Sequence, residues 1–393
     1  MVLFVPDITD VSTIKRVEAF AENGVAPTVF GFRRARYNRD FQPPWPYVEL
    51  GRTADRRYFH RALALFAALR HLVGNRRIFA GATLFYARNI DQLLLALLAR
   101  WWFRPRAEVI YEVLDLPPLL TKRGLAAAAF RWLERRCLKK IKLLVVSSPG
   151  FVRNHYLAVQ HYQKEWFVLE NKLQASVLGS MPRPAPGVTR CEAKAQGYRW
   201  VVGYFGLIRG QRTFDLMTRL AERLSDEVLF KFSGIITTVD PNSFLAALER
   251  NRNMIFEGDY ISPRDLPRLY RSVDFAWALD LEHAEHNSRW LLPCRFYEAG
   301  LFGVPCLAVH DFEVGRLVDE LEIGWTFDEP LEESLVSFFR SLDPVSYARI
   351  RDRLMRLPES TFVSGDDVAT LCQLMCGKKE LVPPPAGSRY VSA

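Results

Sequence analysis

The chain has 393 residues, of which 49% are hydrophobic and 25% charged, so it is too long for one ordinary core and suits two domains of roughly 150 to 200 residues each. Its longest apolar stretch, residues 90–103, is broken by Asp91 and Arg100 and falls short of the roughly 20 residues a membrane-spanning helix needs. The net charge of +9 is unevenly held: residues 1–196 carry 31 Lys and Arg against 15 Asp and Glu, residues 197–393 carry 22 against 29.

The first residues, MVLFVPDITD, lack a basic segment and a small-residue cleavage site and read as a strand rather than a signal peptide. A helix over STIKRVEAFAENG and strands at PTVFGF and ATLFYAR follow, then a long helix from about Asp91 and a strand in EVIYEVLDL. A helix from about Leu125 to Lys140 and strands at LLVVSS and WFVLEN complete the first half. Strands alternating with helices of ten residues or more predict βαβ units and a parallel sheet. The Pro-, Gly- and polar-rich stretch from Ser180 to Gly197 reads as a linker. A second α/β series begins at WVVGYFG and runs through VLFKFSG, MIFEG, DFAWAL and CLAV. The expected division is a domain at 1–185, a domain at 196–375 and a tail at 376–393 containing three consecutive prolines.

The six cysteines, 137, 191, 294, 306, 372 and 376, are scattered without the paired spacing of a zinc site and read as reduced thiols. His283 and His286 stand three apart with no third ligand near them in the sequence, which favours a loop over a metal site.

The segment LLPCRFYEAGLFGVPCLAV, residues 291–309, is apolar apart from Arg295 and Glu298. Pro293 suits the first turn of a helix, and Gly303 with Pro305 ends it before a strand. Arg295 then sits at the helix N-terminus, where the peptide dipoles already disfavour a cation. An anion bound at the same place removes the conflict, and phosphate is the usual one. Glu298, on the same face one turn deeper, can accept two hydrogen bonds from a ribose diol. The plainer alternative is a surface ion pair worth a few tenths of a kcal/mol. At the start of the second half, VVGYFGLIRGQR supplies Gly203, Gly206 and Gly210 for close backbone approach, with Arg209 and Arg212 beside them. The glycine spacing departs from the Gly-x-Gly-x-x-Gly dinucleotide fingerprint, and the following strand ends in serine and glycine rather than an acid.

These residues resemble the GT-B glycosyltransferases, in particular family 4-like enzymes of bacterial exopolysaccharide assembly. The resemblance rests on VVGYFGLIRG, FEGDYISPRDLPRLYRSVDFAWAL and PCRFYEAGLFGVPCLAV, and continues through FYARNIDQLLLALLARW, VIYEVLDL, KLLVVSSPGFVRNHY and VLENK, covering most of residues 1–340. GRTADRRYFHR, SSPGFVR and LENK look closest to succinoglycan-type glucosyltransferases. The resemblance implies an α/β GT-B fold, two Rossmann-like parallel-sheet domains facing a central cleft. It also implies transfer of a sugar, a hexose such as glucose, from a nucleotide sugar such as a UDP-sugar on the second domain to an acceptor on the first. By position, Glu298 looks like the family's ribose-binding glutamate and Arg295 like its phosphate-side cation. Arg209, with Arg212 second, looks like the cation on the leaving diphosphate. Gly206, Tyr260, Asn287 and Ser288 fall among the expected donor contacts. Many family members carry another glutamate eight positions before Glu298, where this chain has Trp290.

Cleavage of the sugar–phosphate bond needs positive charge aimed at the diphosphate. With no Asp-x-Asp motif in the chain, the expectation is metal-independent catalysis by Arg209 and Arg295, with no cofactor. An inverting enzyme needs a base in the first domain: Asp115, after the strand in EVIYEVLDL, is first choice and Asp91 second. Each also has a purely local reading, Asp115 as a turn residue and Asp91 as a helix N-terminal acid. If configuration is retained, as the family generally does, the phosphate oxygen takes the acceptor's proton and Asp115 positions the acceptor.

Arg131, Arg135, Arg136, Lys139 and Lys140 lie along one helix with Phe130, Trp132 and Leu133. A basic aromatic surface suits an anionic membrane face and an acceptor linked to a polyprenyl diphosphate, which implies a cytoplasmic protein peripheral to the inner face of the cell membrane. A solvated basic face is the plainer reading. Nucleic acid ranks lower as a partner because no nucleic-acid motif accompanies the charge. A non-catalytic nucleotide- or nucleic-acid-binding protein of the same fold, or a nucleotide-sugar epimerase, are the alternatives to a transferase.

Overall fold

The structure is a computed structural model and describes residues 1–34, 41–53, 58–175 and 197–377. Outside these lie Cys191, the expected linker apart from Gly197, the tail beyond residue 377 and part of GRTADRRYFHR. The chain forms two compact units, residues 1–170 joined by the helix Asp367–Met375, and residues 171–365.

The first unit is built on a seven-stranded sheet: β1 (Val2–Val5), β2 (Thr28–Arg34), β3 (Tyr47–Thr53), β4 (Leu84–Arg88), β5 (Glu108–Val113), β6 (Leu143–Val146) and β7 (Trp166–Val168). Their order is β3-β2-β1-β4-β5-β6-β7 and each neighbouring pair is parallel. Every residue of β1, β4 and β6 is buried, as expected of a sheet covered on both faces, whose strands read as continuous apolar runs.

The domain end expected at residue 375 is displaced. The helix Asp367–Met375 lays Val368, Leu371, Cys372 and Met375 into the first unit's core, with Leu3, Val5, Val17 and Phe20. These four recur at i, i+3, i+4 and i+7, a single helix face. Burying that face is favourable, and the first unit is where it finds its apolar partners.

The second unit carries a short parallel pair, β8 (Leu173–Gln174) with β15 (Val363–Ser364), and a six-stranded sheet. The latter comprises β9 (Trp200–Ile208), β10 (Val228–Ile236), β11 (Met254–Phe256), β12 (Phe275–Trp277), β13 (Cys306–Val309) and β14 (Gly324–Phe327). Their order, β11-β10-β9-β12-β13-β14, reverses direction between β9 and β12. In open parallel sheets the crevice outside the carboxyl ends at such a switch point is where ligands bind. Gly206 and Gly234 are registered neighbours on β9 and β10; Gly234 has φ +126°, and a Cβ on it would lie 2.0 Å from the Gly206 carbonyl oxygen. Only glycine permits the two strand ends to approach so closely.

Candidate functional site

Three segments of the second unit meet at the switch point: the end of β9, the loop after β12 and the helix Cys294–Leu301. That helix starts one residue later than the sequence suggests, with Pro293 as its N-cap, and every residue from Arg295 to Leu301 is buried. Burial of two ionisable residues there rules out the surface-pair reading. Arg295 donates from Nη1 to the Trp277 carbonyl (3.1 Å), at the end of β12, and its guanidinium stacks 4.3 Å from the centroid of the Tyr204 ring. Glu298 accepts a hydrogen bond from Tyr270 Oη at 2.9 Å. Burial and the neighbouring Glu298 carboxylate push the Tyr270 and Tyr260 hydroxyls far above their ordinary range, so both tyrosines stay protonated donors. The Tyr260 hydroxyl lies 3.8 Å from the position a Cβ on Gly206 would take, which puts Gly206, Tyr260, Arg295 and Glu298 in one neighbourhood.

Arg209 follows β9 directly and grips Asp280 with Nε (2.8 Å) and Nη2 (2.5 Å), both on Oδ2; Glu282 stands 3.7 Å from Nε. The sequence reading missed these two carboxylates, although the Asp-Leu-Glu at residues 280–282, just after a buried strand, was a usable signal. Burial alone would raise the Asp280 carboxyl; Arg209 and Arg295 outweigh it and hold the group below the usual range. Asn287 and Ser288 are buried at the start of the short helix Asn287–Trp290, where Ser288 Oγ accepts from the His283 N–H at 3.3 Å. Arg212 goes elsewhere: its side chain is 63% exposed and pairs with Glu329 at 2.8 Å. Among the described residues no cluster of three His, Cys, Asp or Glu side chains has the arrangement of a metal site.

In the first unit, Asp115 is exposed two residues beyond β5. Asp91 lies half-buried in the first turn of the helix Ile90–Phe103. Between β4, β5 and the helix Val11–Glu22 sits a charge cluster that the sequence did not announce. Glu112 is fully buried and pairs with Arg16 (2.8 Å) and Arg88 (2.9 Å). A second buried carboxylate, Glu134, receives hydrogen bonds from His155 Nε2 at 2.7 Å and Gln160 Nε2 at 2.5 Å.

The basic helix Leu125–Leu138 divides its cations. Arg131 donates to the Leu120 and Lys122 carbonyls (3.1 and 2.7 Å) and Arg135 to the Val159 carbonyl (2.8 Å), so these two hold loops in place rather than presenting a surface. Arg136 stacks 5.0 Å over Trp132, and Arg136, Lys139 and Lys140 are exposed. Trp132 is 56% exposed and Trp101, near the end of the helix Ile90–Phe103, is 72% exposed. Arg100 ties the ends of the two helices together by donating to the Lys140 carbonyl at 2.8 Å. Among the described residues no helix is long and apolar enough to cross a membrane.

No family model matches the sequence. The chain is 27% identical over 357 residues to the succinoglycan biosynthesis protein ExoL of Rhizobium meliloti, spanning 91% of this chain and 88% of that one. Sucrose-phosphate synthase from Thermosynechococcus elongatus superposes with a TM-score of 0.68 at 15% identity, over 96% of this chain and 98% of that one. Anabaena HepE in complex with UDP gives 0.67 at 15% identity over the same shares, and HepE is also known in complex with UDP-glucose. WaaG, a glycosyltransferase involved in lipopolysaccharide biosynthesis, gives 0.64 at 14% identity, over 96% of this chain and all (100%) of that one. The chain has the GT-B glycosyltransferase fold, and its relative in succinoglycan biosynthesis accords with the exopolysaccharide resemblance of its motifs.

Proposed function

We propose that the protein is a glycosyltransferase of bacterial exopolysaccharide assembly that takes its sugar from a nucleotide-sugar donor held by the second unit. The observation that carries this reading is the burial of Arg295 and Glu298 on consecutive turns of one helix at the sheet's switch point, beside Gly206 and Arg209. Arg295 offers charge to a diphosphate, and Glu298 offers acceptor oxygens to a ribose diol. The UDP and UDP-glucose complexes of HepE support a UDP-sugar as the donor class.

The leaving diphosphate gains charge as the glycosidic bond to phosphate breaks, and Arg209 and Arg295 meet that charge. In this reading the two guanidiniums do the work a divalent ion does elsewhere. Transfer proceeds with retention, the phosphate oxygen accepting the proton of the acceptor hydroxyl and Asp115 orienting the acceptor. The acceptor is a polyprenyl-diphosphate-linked saccharide taken by the first unit. Trp101, Trp132, Arg136, Lys139 and Lys140 rest on the anionic inner face of the membrane that holds it. Exposed indole beside exposed cations supports that placement, because each suits the headgroup layer.

The test is titration with UDP and assay of UDP-glucose hydrolysis or transfer to lipid extracts, with Arg295→Ala and Glu298→Gln as controls. A large loss of kcat/KM in Arg295→Ala and a raised donor KM in Glu298→Gln support the reading. Absence of nucleotide affinity in a folded wild-type protein sinks it.

A further inference from the structure

We infer that Asp280 is a positioning residue that aims Arg209 in the donor site, an inference that rests on the reading of that site given above. Asp280 is 5% exposed and engages Arg209 through Nε and Nη2 together, a two-pronged contact that fixes the guanidinium plane as well as its distance. Its other oxygen, Oδ1, accepts from the Glu282 N–H at 3.1 Å. The next residue, Leu281, donates its N–H to the buried Thr213 Oγ1 at 2.9 Å. The carboxylate is thereby anchored to its own loop and to the helix Gln211–Arg223, and cannot drift with the arginine it holds.

The backbone reinforces this arrangement. The Arg209 N–H donates to Tyr204 Oη, which donates in turn to the Arg209 carbonyl, each at 3.2 Å. The same Tyr204 ring lies beneath Arg295. Gly210 has φ +82°, and a Cβ there would lie 3.0 Å from Glu282 Cβ, so the loop after β9 and the loop after β12 are held against each other. One tyrosine thus links Arg209, from the end of β9, to Arg295, from the helix after β12.

The electrostatic consequence has two parts. Asp280, with Glu282 3.7 Å from Arg209 Nε, sets the direction of the Arg209 guanidinium before the donor arrives, so little reorganisation remains for the transition state. It also opposes a bound diphosphate, because two anions then share the same cations. Removing the charge while keeping the shape therefore slows transfer and strengthens ground-state nucleotide binding. Loss of a merely structural residue would weaken both.

The experiment is Asp280→Asn in the full chain, with UDP affinity by calorimetry, steady-state turnover of UDP-glucose, and circular dichroism as the check on folding. The expected result is a fall in kcat of about tenfold or more, with UDP bound as tightly as by wild type or about threefold tighter. In an Arg209→Ala background the same substitution should change kcat by less than about twofold, since residues acting as a unit are not additive. Arg209→Lys provides a second variant, which keeps the charge but loses the two-pronged contact; it should lose kcat and retain UDP affinity. Wild-type kcat in Asp280→Asn, an undiminished effect in the Arg209→Ala background, or parallel losses of kcat and UDP affinity would each overturn the inference. Wild-type protein that does not bind UDP overturns the donor-site reading and this inference together; wild-type binding with an indifferent Asp280→Asn overturns this inference alone.

Discussion

Arg295 and Glu298 stand three residues apart on one buried helix, yet they are held by different strangers: Arg295 by the Trp277 carbonyl and the Tyr204 ring, Glu298 by Tyr270. Each is supported from a separate element. Supports of this kind hold side chains ready for a third party.

The first expectation concerns that pair. Arg295→Ala should lower kcat/KM for a UDP-sugar by about 100-fold, the usual cost of losing one preorganised charge donor. Glu298→Gln should act mainly on donor KM, raising it by about 10-fold or more, because it weakens hydrogen bonds of a charged acceptor. Steady-state kinetics over donor concentration separate the two. Tyr270→Phe should give a milder donor effect, about fivefold, from one lost hydrogen bond.

Thiol reactivity reports on the same site. Cys294 and Cys376 are exposed, while Cys137, Cys306 and Cys372 are buried. Burial pushes the Cys306 thiol up to about 12, and Cys137 and Cys372 to about 11, so little thiolate is present at pH 8. Alkylation followed by peptide mass mapping should label Cys294 and Cys376 quickly and Cys137, Cys306 and Cys372 only after unfolding. Saturating UDP should slow labelling of Cys294, the neighbour of Arg295, and leave Cys376 unchanged.

The buried cluster in the first unit predicts an acid-sensitive fold. Burial by itself would raise the Glu112 carboxyl, but Arg16 and Arg88 outweigh it and hold it below its ordinary value of 4.5. The unfolded chain therefore takes up the proton first. The stabilisation is complete above the unfolded value and is lost as pH falls through the lower folded one. Glu112→Gln strands two buried arginines and should cost about 3 to 5 kcal/mol at pH 7. Urea unfolding at pH 7 and again well below pH 4.5 should show the gap between wild type and variant narrowing in acid.

Vesicle binding tests the surface reading. Replacing Arg136, Lys139 and Lys140 with alanine should weaken sedimentation with anionic vesicles by about fivefold per cation at low salt. Arg131→Ala should have a smaller effect on binding and a larger one on stability, since its hydrogen bonds go to the Leu120 and Lys122 carbonyls. Equal binding to neutral and anionic vesicles would refute a role for these charges.

The sequence by itself determined the alternation of apolar strand and amphipathic helix, and hence two parallel sheets, because periodicity and glycine or proline punctuation are local properties of the chain. It also marked Arg295 and Glu298, since a cation at a helix N-terminus and a carboxylate among apolar residues are anomalies visible within one short window. Tertiary structure alone decided that Arg209 meets Asp280, 71 residues away, while Arg212, only three residues further along, turns out to Glu329. It also decided that Glu112 collects Arg16 and Arg88, and that the last described helix returns to the first unit. Those outcomes depend on strand order and on which apolar face finds a complementary surface. Such contacts join residues far apart in the chain, and no local pattern of residue types specifies them.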